Sequence, residues 1–187
     1  MNNKTFNLIV AGVGGQGLIT LLQIIDEAAF IDDQDVRSSE LHGLSQRGGG
    51  VEAHVRFGTK VNSPLISNGQ ADLVIALEMF EGLRETAKNS FNTKFLVNNY
   101  VLPFEGSLGK DEIKKQLEIL GKNLYLVSAS DICKEKLGSE VVSGVYLLGY
   151  AIRNNLMPLK EVSLVKAIKN IVPAKYQELN VKAAQLI

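Results

Sequence analysis

Two glycine-rich segments near the start of the chain have the residue types and spacing to bind an anion. The first, Gly12–Gly17 (GVGGQG), follows an apolar stretch, Phe6–Ala11, and opens a run typical of an apolar helix. Glycines in this position let backbone N–H groups approach a phosphate at a helix N-terminus. The second, Glu40–Gly50 (ELHGLSQRGGG), sets a histidine, a glutamine and an arginine among glycines. Two such loops so close together predict a binding site.

The first segment has three interpretations. Gly12, Gly14 and Gly17 fit the dinucleotide fingerprint, and Glu40 stands at about the distance of its ribose-binding acidic residue. The sequence after Glu40 indicates a loop and a strand, whereas a dinucleotide fold needs a crossover helix there, so NAD(P) is weakly supported. A ligand-free strand-to-helix turn is the second interpretation, although such a turn does not need Gln16. The third is an anion site, with these candidate cofactor-binding residues: Gly12, Gly14, Gly15, Gln16 and Gly17.

The second segment supplies the candidate catalytic residues His42, Gln46 and Arg47. His42 has the chemistry of a general base or of a donor to substrate, but a loop histidine can also be satisfied by backbone groups. Arg47 stands where the backbone can approach a partner, which suits bidentate capture of a carboxylate or phosphate. The alternative is that Arg47 caps carbonyl groups of its own loop.

Other polar residues have simpler interpretations. His54 lies between Glu52 and Arg56 on the polar face of a strand, which predicts a paired surface or interface group. Glu78 and Glu81 flank a helix start, where acidic side chains favour the helix dipole. Cys133 is expected to be a buried, inert thiol.

Alternating strand and helix patterns predict an α/β fold with a largely parallel sheet. Residues 51–57 alternate apolar and polar side chains, which predicts a strand that is antiparallel or near a sheet edge. After Gly138 only helices are expected. The predicted strands are Phe6–Ala11, Val36–Ser39, Val51–Phe57, Leu73–Leu77, Lys94–Asn98 and Leu124–Val127. The predicted helices are Gln16–Phe30, Phe80–Ser90, Lys110–Leu120, Asp131–Leu137, Val141–Arg153 and Val162–Ile171, with helical spacing again from Ala174.

Composition narrows the class of protein. The 187 residues are 45% hydrophobic and 21% charged, which predicts a single domain over residues 1–187. Twenty basic residues balance twenty acidic ones, so nucleic acid is not an expected partner. Cys133 is the only cysteine, which excludes an internal disulfide and a cluster or zinc site built from several thiolates of this chain. No targeting pattern or membrane-spanning run is visible, and a cytoplasmic location is expected.

The chain resembles the gamma-type subunits of thiamine-diphosphate-dependent 2-oxoacid:ferredoxin oxidoreductases, and within them the small subunits of the indolepyruvate type. The motif around Gln46-Arg47-Gly48-Gly49 is far more specific than the dinucleotide fingerprint. The matching motifs run in order along nearly the whole chain: Ala11–Gly17, Glu40–Gly49, His54–Gly58, Ser63–Ile66, Ala71-Asp72 and Val172–Asn180. The stretch Asn98–Pro103 is more polar than the family pattern.

This resemblance implies a three-layer α/β/α domain with a mostly parallel, mixed sheet and a helical C-terminal part. It implies a large partner subunit that carries thiamine diphosphate, magnesium and iron–sulfur clusters, with ferredoxin as acceptor and coenzyme A as co-substrate. It also implies that the Gly14–Gly17 loop and the Gln46-Arg47 loop face the interface with that subunit. No cofactor is expected on this chain alone, and the isolated chain is expected to expose a docking face and self-associate.

Three functions remain open at this stage. The first is the accessory subunit of an indolepyruvate-type oxidoreductase, or of a pyruvate or 2-oxoglutarate type. The second is a stand-alone NAD(P) enzyme. The third is a noncatalytic nucleotide-binding or regulatory module that uses the phosphate-sized loop.

Overall fold

The computed structural model describes residues 5–42, 49–87, 90–103, 106 and 108–186, with only the backbone of His42. The candidate residues Gln46 and Arg47 and the side chain of His42 lie outside the described residues. The strands are β1 (Thr5–Val13), β2 (Asp35–His42), β3 (Gly50–Gly58), β4 (Leu73–Ala76), β5 (Lys94–Asn98) and β6 (Leu124–Val127). The helices are α1 (Leu18–Ile31), α2 (Met79–Thr86), α3 (Lys110–Leu117), α4 (Ala129–Leu137), α5 (Ser143–Arg153), α6 (Glu161–Ile171) and α7 (Ala174–Gln185).

The strands form a mixed sheet in the order β2-β3-β1-β4-β5-β6. Strands β1, β4, β5 and β6 are parallel, while β3 is antiparallel to both of its neighbours, β1 and β2. The antiparallel character predicted for β3 from its alternating side chains is confirmed. Because β3 runs backwards, its first residue lies at the same edge of the sheet as the carboxyl ends of the other strands. We call this the carboxyl edge.

Helices cover both faces of the sheet, which confirms the three-layer architecture and the helical C-terminal part. On one face, residues of α1 and α4–α7 pack with alternate strand residues such as Leu8 and Val10. On the other face, Met79, Ile113 and Leu117 pack with Ile9 and the remaining strand residues of that face. Central strand β4 is buried on both faces, as expected for a parallel strand between two helical layers.

Several element boundaries differ from the sequence prediction by a few residues, and two of the differences lie beside the glycine-rich segments or their neighbouring helix. Strand β2 continues to His42 instead of ending at Ser39, so Glu40 and Leu41 belong to a strand and not to the glycine-rich loop. The reason is pairing with β3, which matches Glu40 with Ala53 and His42 with Val51. The helix predicted over Phe80–Ser90 ends as α2 at Thr86. The extension of β2 is thus set by contacts distant in sequence.

Asp32, just after α1, holds α6 in place. Its carboxylate accepts hydrogen bonds from the Lys160 backbone N–H at 2.9 Å and the Ser163 hydroxyl at 2.7 Å. Burial alone would raise the pKa of Asp32, but these bonds and the Lys160 ammonium, 3.2 Å away, together lower it below its ordinary value. Asp32 therefore caps a helix whose N-cap residue, Lys160, stands 128 residues later in the chain.

We expect Asp32→Ala to lower the free energy of unfolding at pH 7 by about 1–2 kcal/mol, the cost of losing a helix cap. The folded-state pKa is depressed, so the contribution of Asp32 is complete above the unfolded pKa and is lost as pH falls through the folded pKa. Urea unfolding of both proteins at neutral and strongly acidic pH measures this. A deficit of the same size at both pH values would contradict the assignment.

Candidate functional site

The two glycine-rich segments meet at the carboxyl edge. The N–H of Gly14 donates a hydrogen bond to the carbonyl oxygen of Gly49 at 2.9 Å. In the sheet register, Val13 is opposite Gly50, and Gly12 is opposite Val51. His42, at the end of β2, is also opposite Val51, so its backbone lies two strands from Gly12. The described ends of both loops therefore lie side by side, as one site requires.

The side chain of Gln16 closes the first loop. The side-chain Oε1 accepts the N–H of Val13 at 2.7 Å, and the backbone N–H of Gln16 donates to the Val13 carbonyl at 3.1 Å. A Cβ on Gly12 would lie 2.7 Å from this Oε1 and 3.2 Å from the Cβ of Leu77. Gly12 therefore provides space for the turn, and the carbonyl of Gln16 has a structural role inside it.

The backbone of the loop needs glycine at two further positions. Gly15 has φ of 105° and Gly17 has φ of 79°, in the region that side chains with a Cβ rarely adopt. Gly17 is the N-cap residue of α1 and provides no side-chain hydrogen bond. The first N–H groups of a helix lack partners within it, and they lie at its electropositive end. The loop therefore presents donors to an anion at the start of α1.

Two cavities flank Gly17. One, of about 660 Å³, is bounded by the glycine loop, the first turn of α1, Glu40 and Val51. The other, of about 540 Å³, lies between α1, the start of α5 and α7, and we call it the uncharged groove. Its described lining residues include no charged side chain: Gln16, Gly17, Thr20, Leu21, Ser139, Val141, Val142, Gly144, Val145, Val172, Pro173, Tyr176, Leu179 and Asn180. The site thus pairs the N-terminal end of α1 with an apolar surface.

Several large apolar side chains around these cavities are exposed. Val141 is 85% exposed, Ile19 59%, Tyr176 49% and Leu41 45%. Val141 and Tyr176 line the uncharged groove, and Ile19 lines the cavity beside Glu40. Exposed apolar groups gathered around one site mark a surface that a ligand or a protein covers.

Acidic side chains of α2 lie beside the start of β3. Glu78 is buried, and its carboxylate accepts the N–H groups of Phe80 and Glu81 as the N-cap of α2. Burial raises the pKa of Glu78, while these two hydrogen bonds oppose the shift. Glu81 pairs with Arg84 at 3.0 Å, and a Cβ on Gly50 would lie 2.7 Å from atoms of both side chains. The helix-start role predicted for Glu78 is confirmed.

Sequence reasoning missed how close this acidic face comes to the second glycine loop. Glu78, Glu81 and Glu85 are all buried, at spacings of three and four residues that place them on one side of α2. Three buried carboxylates on one helical face are uncommon for a purely structural helix. That spacing was the signal in the sequence, and Gly50 is the residue of β3 that lies against Glu81.

His54 is not the surface group that its strand pattern predicted. It is only 6% exposed, and its Nδ1 accepts the backbone N–H of Ile66 at 3.0 Å. Because Nδ1 accepts a hydrogen bond, Nε2 carries the proton and donates to Glu52 Oε1 at 2.7 Å. The pairing with Glu52 is confirmed, but the segment around Ile66 buries the ring. His54 holds that segment on the sheet.

Burial raises the pKa of Cys133 to about 11, so this buried thiol stays protonated at neutral pH, which confirms the inert role. Within the described parts of the chain, no three or more His, Cys, Asp or Glu side chains are grouped to hold a metal ion. None of the described helices is long and apolar enough to cross a membrane.

We expect NAD(P)H not to bind tightly. In a dinucleotide fold, the acidic residue that holds the ribose ends the strand next to β1. Here the antiparallel β3 occupies that place, and Glu40 is on β2, one strand further away. Titration calorimetry of the purified chain with NADH and NADPH tests this. A dissociation constant in the low micromolar range, about −8 kcal/mol, would support the dehydrogenase alternative.

The chain is similar to known proteins over almost its whole length. Residues 7–187 match the family described as Pyruvate ferredoxin/flavodoxin oxidoreductase. The chain is 37% identical to the indolepyruvate oxidoreductase subunit IorB of Archaeoglobus fulgidus, with 96% of this chain and 92% of that protein covered. It is 30% identical to the pyruvate/ketoisovalerate oxidoreductases common subunit gamma of Pyrococcus abyssi, with 93% and 90% covered.

A solved structure shares the fold. The gamma subunit of a keto/oxoacid ferredoxin oxidoreductase from Geobacter sulfurreducens superposes with a TM-score of 0.70, at 23% identity, over 97% of this chain and 95% of that one. Sequence and fold agree along the described chain, and both glycine loops lie within the matched residues. The chain therefore belongs to the pyruvate ferredoxin/flavodoxin oxidoreductase family.

Proposed function

We propose that this chain is the small subunit of an indolepyruvate-type 2-oxoacid:ferredoxin oxidoreductase. The complex would convert an aryl 2-oxoacid, coenzyme A and oxidised ferredoxin into acyl-CoA, CO2 and reduced ferredoxin. Family membership supports a role as a subunit of such an oxidoreductase. The higher identity to the indolepyruvate relative than to the pyruvate/ketoisovalerate relative supports the substrate type. Pyruvate and 2-oxoglutarate types are the alternatives.

The redox cofactors belong, in this proposal, to a large partner subunit. Iron–sulfur clusters need several thiolates, and the one cysteine here is a buried thiol with a raised pKa, so this chain does not fit a cluster. Thiamine diphosphate and its magnesium ion, like the clusters, are assigned to the partner. Ferredoxin would then accept electrons from the partner and not from this chain.

The observation that carries the proposal is the meeting of both glycine loops at the carboxyl edge beside the uncharged groove. The helix end at Gly17 offers N–H donors that suit a phosphate of coenzyme A. The groove offers Val141 and Tyr176 to an apolar surface of the large subunit. His42, Gln46 and Arg47 are proposed to complete the site from the second loop, with Arg47 binding a phosphate or a partner carboxylate.

Association with the large subunit is the direct test. We expect the chain, co-expressed with the large subunit from the same genome, to purify as a brown complex. Val141→Glu should weaken this association at least about tenfold, since a charge would be buried against an apolar surface. Val162→Glu is the matched control, because Val162 is 65% exposed on α6, outside the groove. Equal binding by both variants would contradict docking at the groove.

The remaining expectations stay predictions. They are a single domain over residues 1–187, a cytoplasmic location and self-association of the chain when it is alone. A noncatalytic nucleotide-binding module is the alternative from another class. It predicts nucleotide binding by the isolated chain and no stable association with an iron–sulfur protein.

A further inference from the structure

Strand β6 forms one edge of the sheet and lacks the charged side chains that protect many edge strands. Its sequence, Leu124–Val127 (LYLV), contains no charged residue. The opposite edge strand, β2, carries Asp35, Arg37 and Glu40. Charged side chains on an edge strand discourage pairing with another strand. Among the described residues, no strand pairs with the outer side of β6.

The backbone of β6 has hydrogen-bonding groups that face outwards. The carbonyl of Val127 accepts the N–H of Asn99, which follows β5, so Val127 is directed towards β5. Backbone groups alternate in direction along a strand, and therefore the N–H and carbonyl of Leu126 and the carbonyl of Leu124 point away from the sheet. Leu124 N–H is already bonded to the Gly121 carbonyl. A strand added along this edge would form hydrogen bonds with these outward N–H and carbonyl groups.

Apolar side chains extend this edge at its amino end. Phe91 is 100% exposed and Ile119 is 86% exposed. The side chain of Asn123 donates to the Phe91 carbonyl at 2.6 Å, which ties Phe91 to the start of β6. We call Phe91, Ile119 and Leu124–Val127 the β6 surface. It lies across the sheet from α6 and β2.

We propose that β6 pairs antiparallel with β6 of a second copy of this chain, about a two-fold axis at Tyr125. A two-fold axis perpendicular to the sheet pairs residues whose side chains lie on the same face. The axis must therefore pass between the two copies of a single residue. At Tyr125, it sets Leu124 opposite Leu126 of the second copy and Tyr125 opposite itself. Each Leu126 N–H then donates to a Leu124 carbonyl. Matched apolar and aromatic pairs of this kind stabilise strand pairing.

Charge also favours a second copy as the occupant. The same axis brings Lys122, two residues before β6, towards the end of β6 of the second copy and the first turn of its α4. Lys122 and Asp131 are both exposed, and Asp131 lies in that turn. The operation therefore brings a cation of each copy towards an anion of the other, twice. An unrelated strand would gain neither the Leu pairs nor these charges by symmetry.

This pairing leaves the candidate site open. Because the two β6 strands run in opposite directions, the carboxyl edges of the two copies point away from each other. Each glycine loop and uncharged groove stays available for its own large subunit. The inference is thus independent of the proposed function, and either can fail alone.

A charge exchange at the axis tests the pairing on the purified full-length chain by sedimentation equilibrium. Wild type should have about twice the 20.4 kDa mass of one chain. Tyr125→Lys and Tyr125→Glu should each be monomeric, since like charges would meet at the axis, and a mixture of the two should dimerise. Tyr176→Lys and Tyr176→Glu, on α7, are matched controls that should dimerise like wild type.

Hydrogen exchange of the wild-type chain provides a second measurement that does not depend on any variant folding. The amide of Leu126 should exchange at least about tenfold more slowly at high than at low protein concentration. The amide of Tyr125, directed towards β5, should change little. A monomeric wild type, a mixture that stays monomeric, loss of the dimer in the Tyr176 variants, or Leu126 exchange independent of concentration would each overturn the proposal.

Discussion

Gly149→Ala is expected to destabilise the fold by about 3 kcal/mol, the upper end of the usual cost of overpacking. Gly149 lies within α5 against α7, and an added Cβ would clash with the backbone carbonyl group of Ala184. That oxygen belongs to the backbone and also accepts a hydrogen bond from Arg153 at 2.6 Å. To make room for the Cβ, α7 must move away from α5, and this movement would break the hydrogen bond between Arg153 and Ala184. Alanine's better helix propensity, roughly 1 kcal/mol, does not offset the clash.

Thermal melts measure the effect, with a decrease of roughly 6–12 °C expected for a chain of this size. Gly144→Ala is the matched control on the same helix. Its Cβ would lie 2.5 Å from Cδ1 of Leu21, the end of a flexible side chain that can rotate away. We expect that control to change stability by less than about 1 kcal/mol. Equal melting temperatures for the two variants would show that α7 does not depend on Gly149.

Arg47→Ala is expected to reduce turnover or coenzyme A affinity of the reconstituted complex about ten- to a hundredfold. The reason is the loss of a charge-assisted bond, which contributes roughly 1.5–3 kcal/mol. Arg47→Lys should restore only part of the loss, because a point charge does not reproduce the planar guanidinium fork. The melting temperature should barely change, since a loop arginine beside glycines contributes little to the core.

Steady-state kinetics of both Arg47 variants, with their thermal melts, make this measurement. Arg37→Ala is the matched control, because Arg37 lies on the preceding strand with a half-exposed side chain paired to Asp35. It should retain the activity of the unaltered complex. Full activity in Arg47→Ala, or a loss explained by unfolding, would show that Arg47 caps carbonyl groups of its own loop and does not bind a ligand.

Local sequence pattern was enough to place most elements. The alternation over β3 indicated an antiparallel strand, and Gly138, Asn154 and Pro173 lie at the ends of helices or beside them. Pattern did not give the order of the strands. The insertion of β3 between β1 and β2 is set by tertiary contacts, and it places the strand of Glu40 one strand further from β1.

The site was predicted less completely, for physical reasons visible in single residues. Ligand binding by Gln16 stays a prediction, but the sequence did not indicate that its side-chain carbonyl oxygen accepts the N–H of Val13. His54 was expected to be a paired surface or interface group because its strand face is polar, but the segment around Ile66 covers it. The Gln16 contact depends on the conformation of the turn, and the His54 contact joins residues twelve apart in sequence. The roles of His42, Gln46 and Arg47 stay predictions.

The activity of the chain with and without its large subunit tests the central claim most directly. The assay contains an aryl pyruvate, coenzyme A, thiamine diphosphate with magnesium, and a dye that accepts electrons. We predict no turnover by the colourless small chain alone, and reduction of the dye with formation of acyl-CoA when the large subunit is added. Turnover by the small chain alone, or an unchanged rate when it is left out of the complex, would contradict its role as a required subunit.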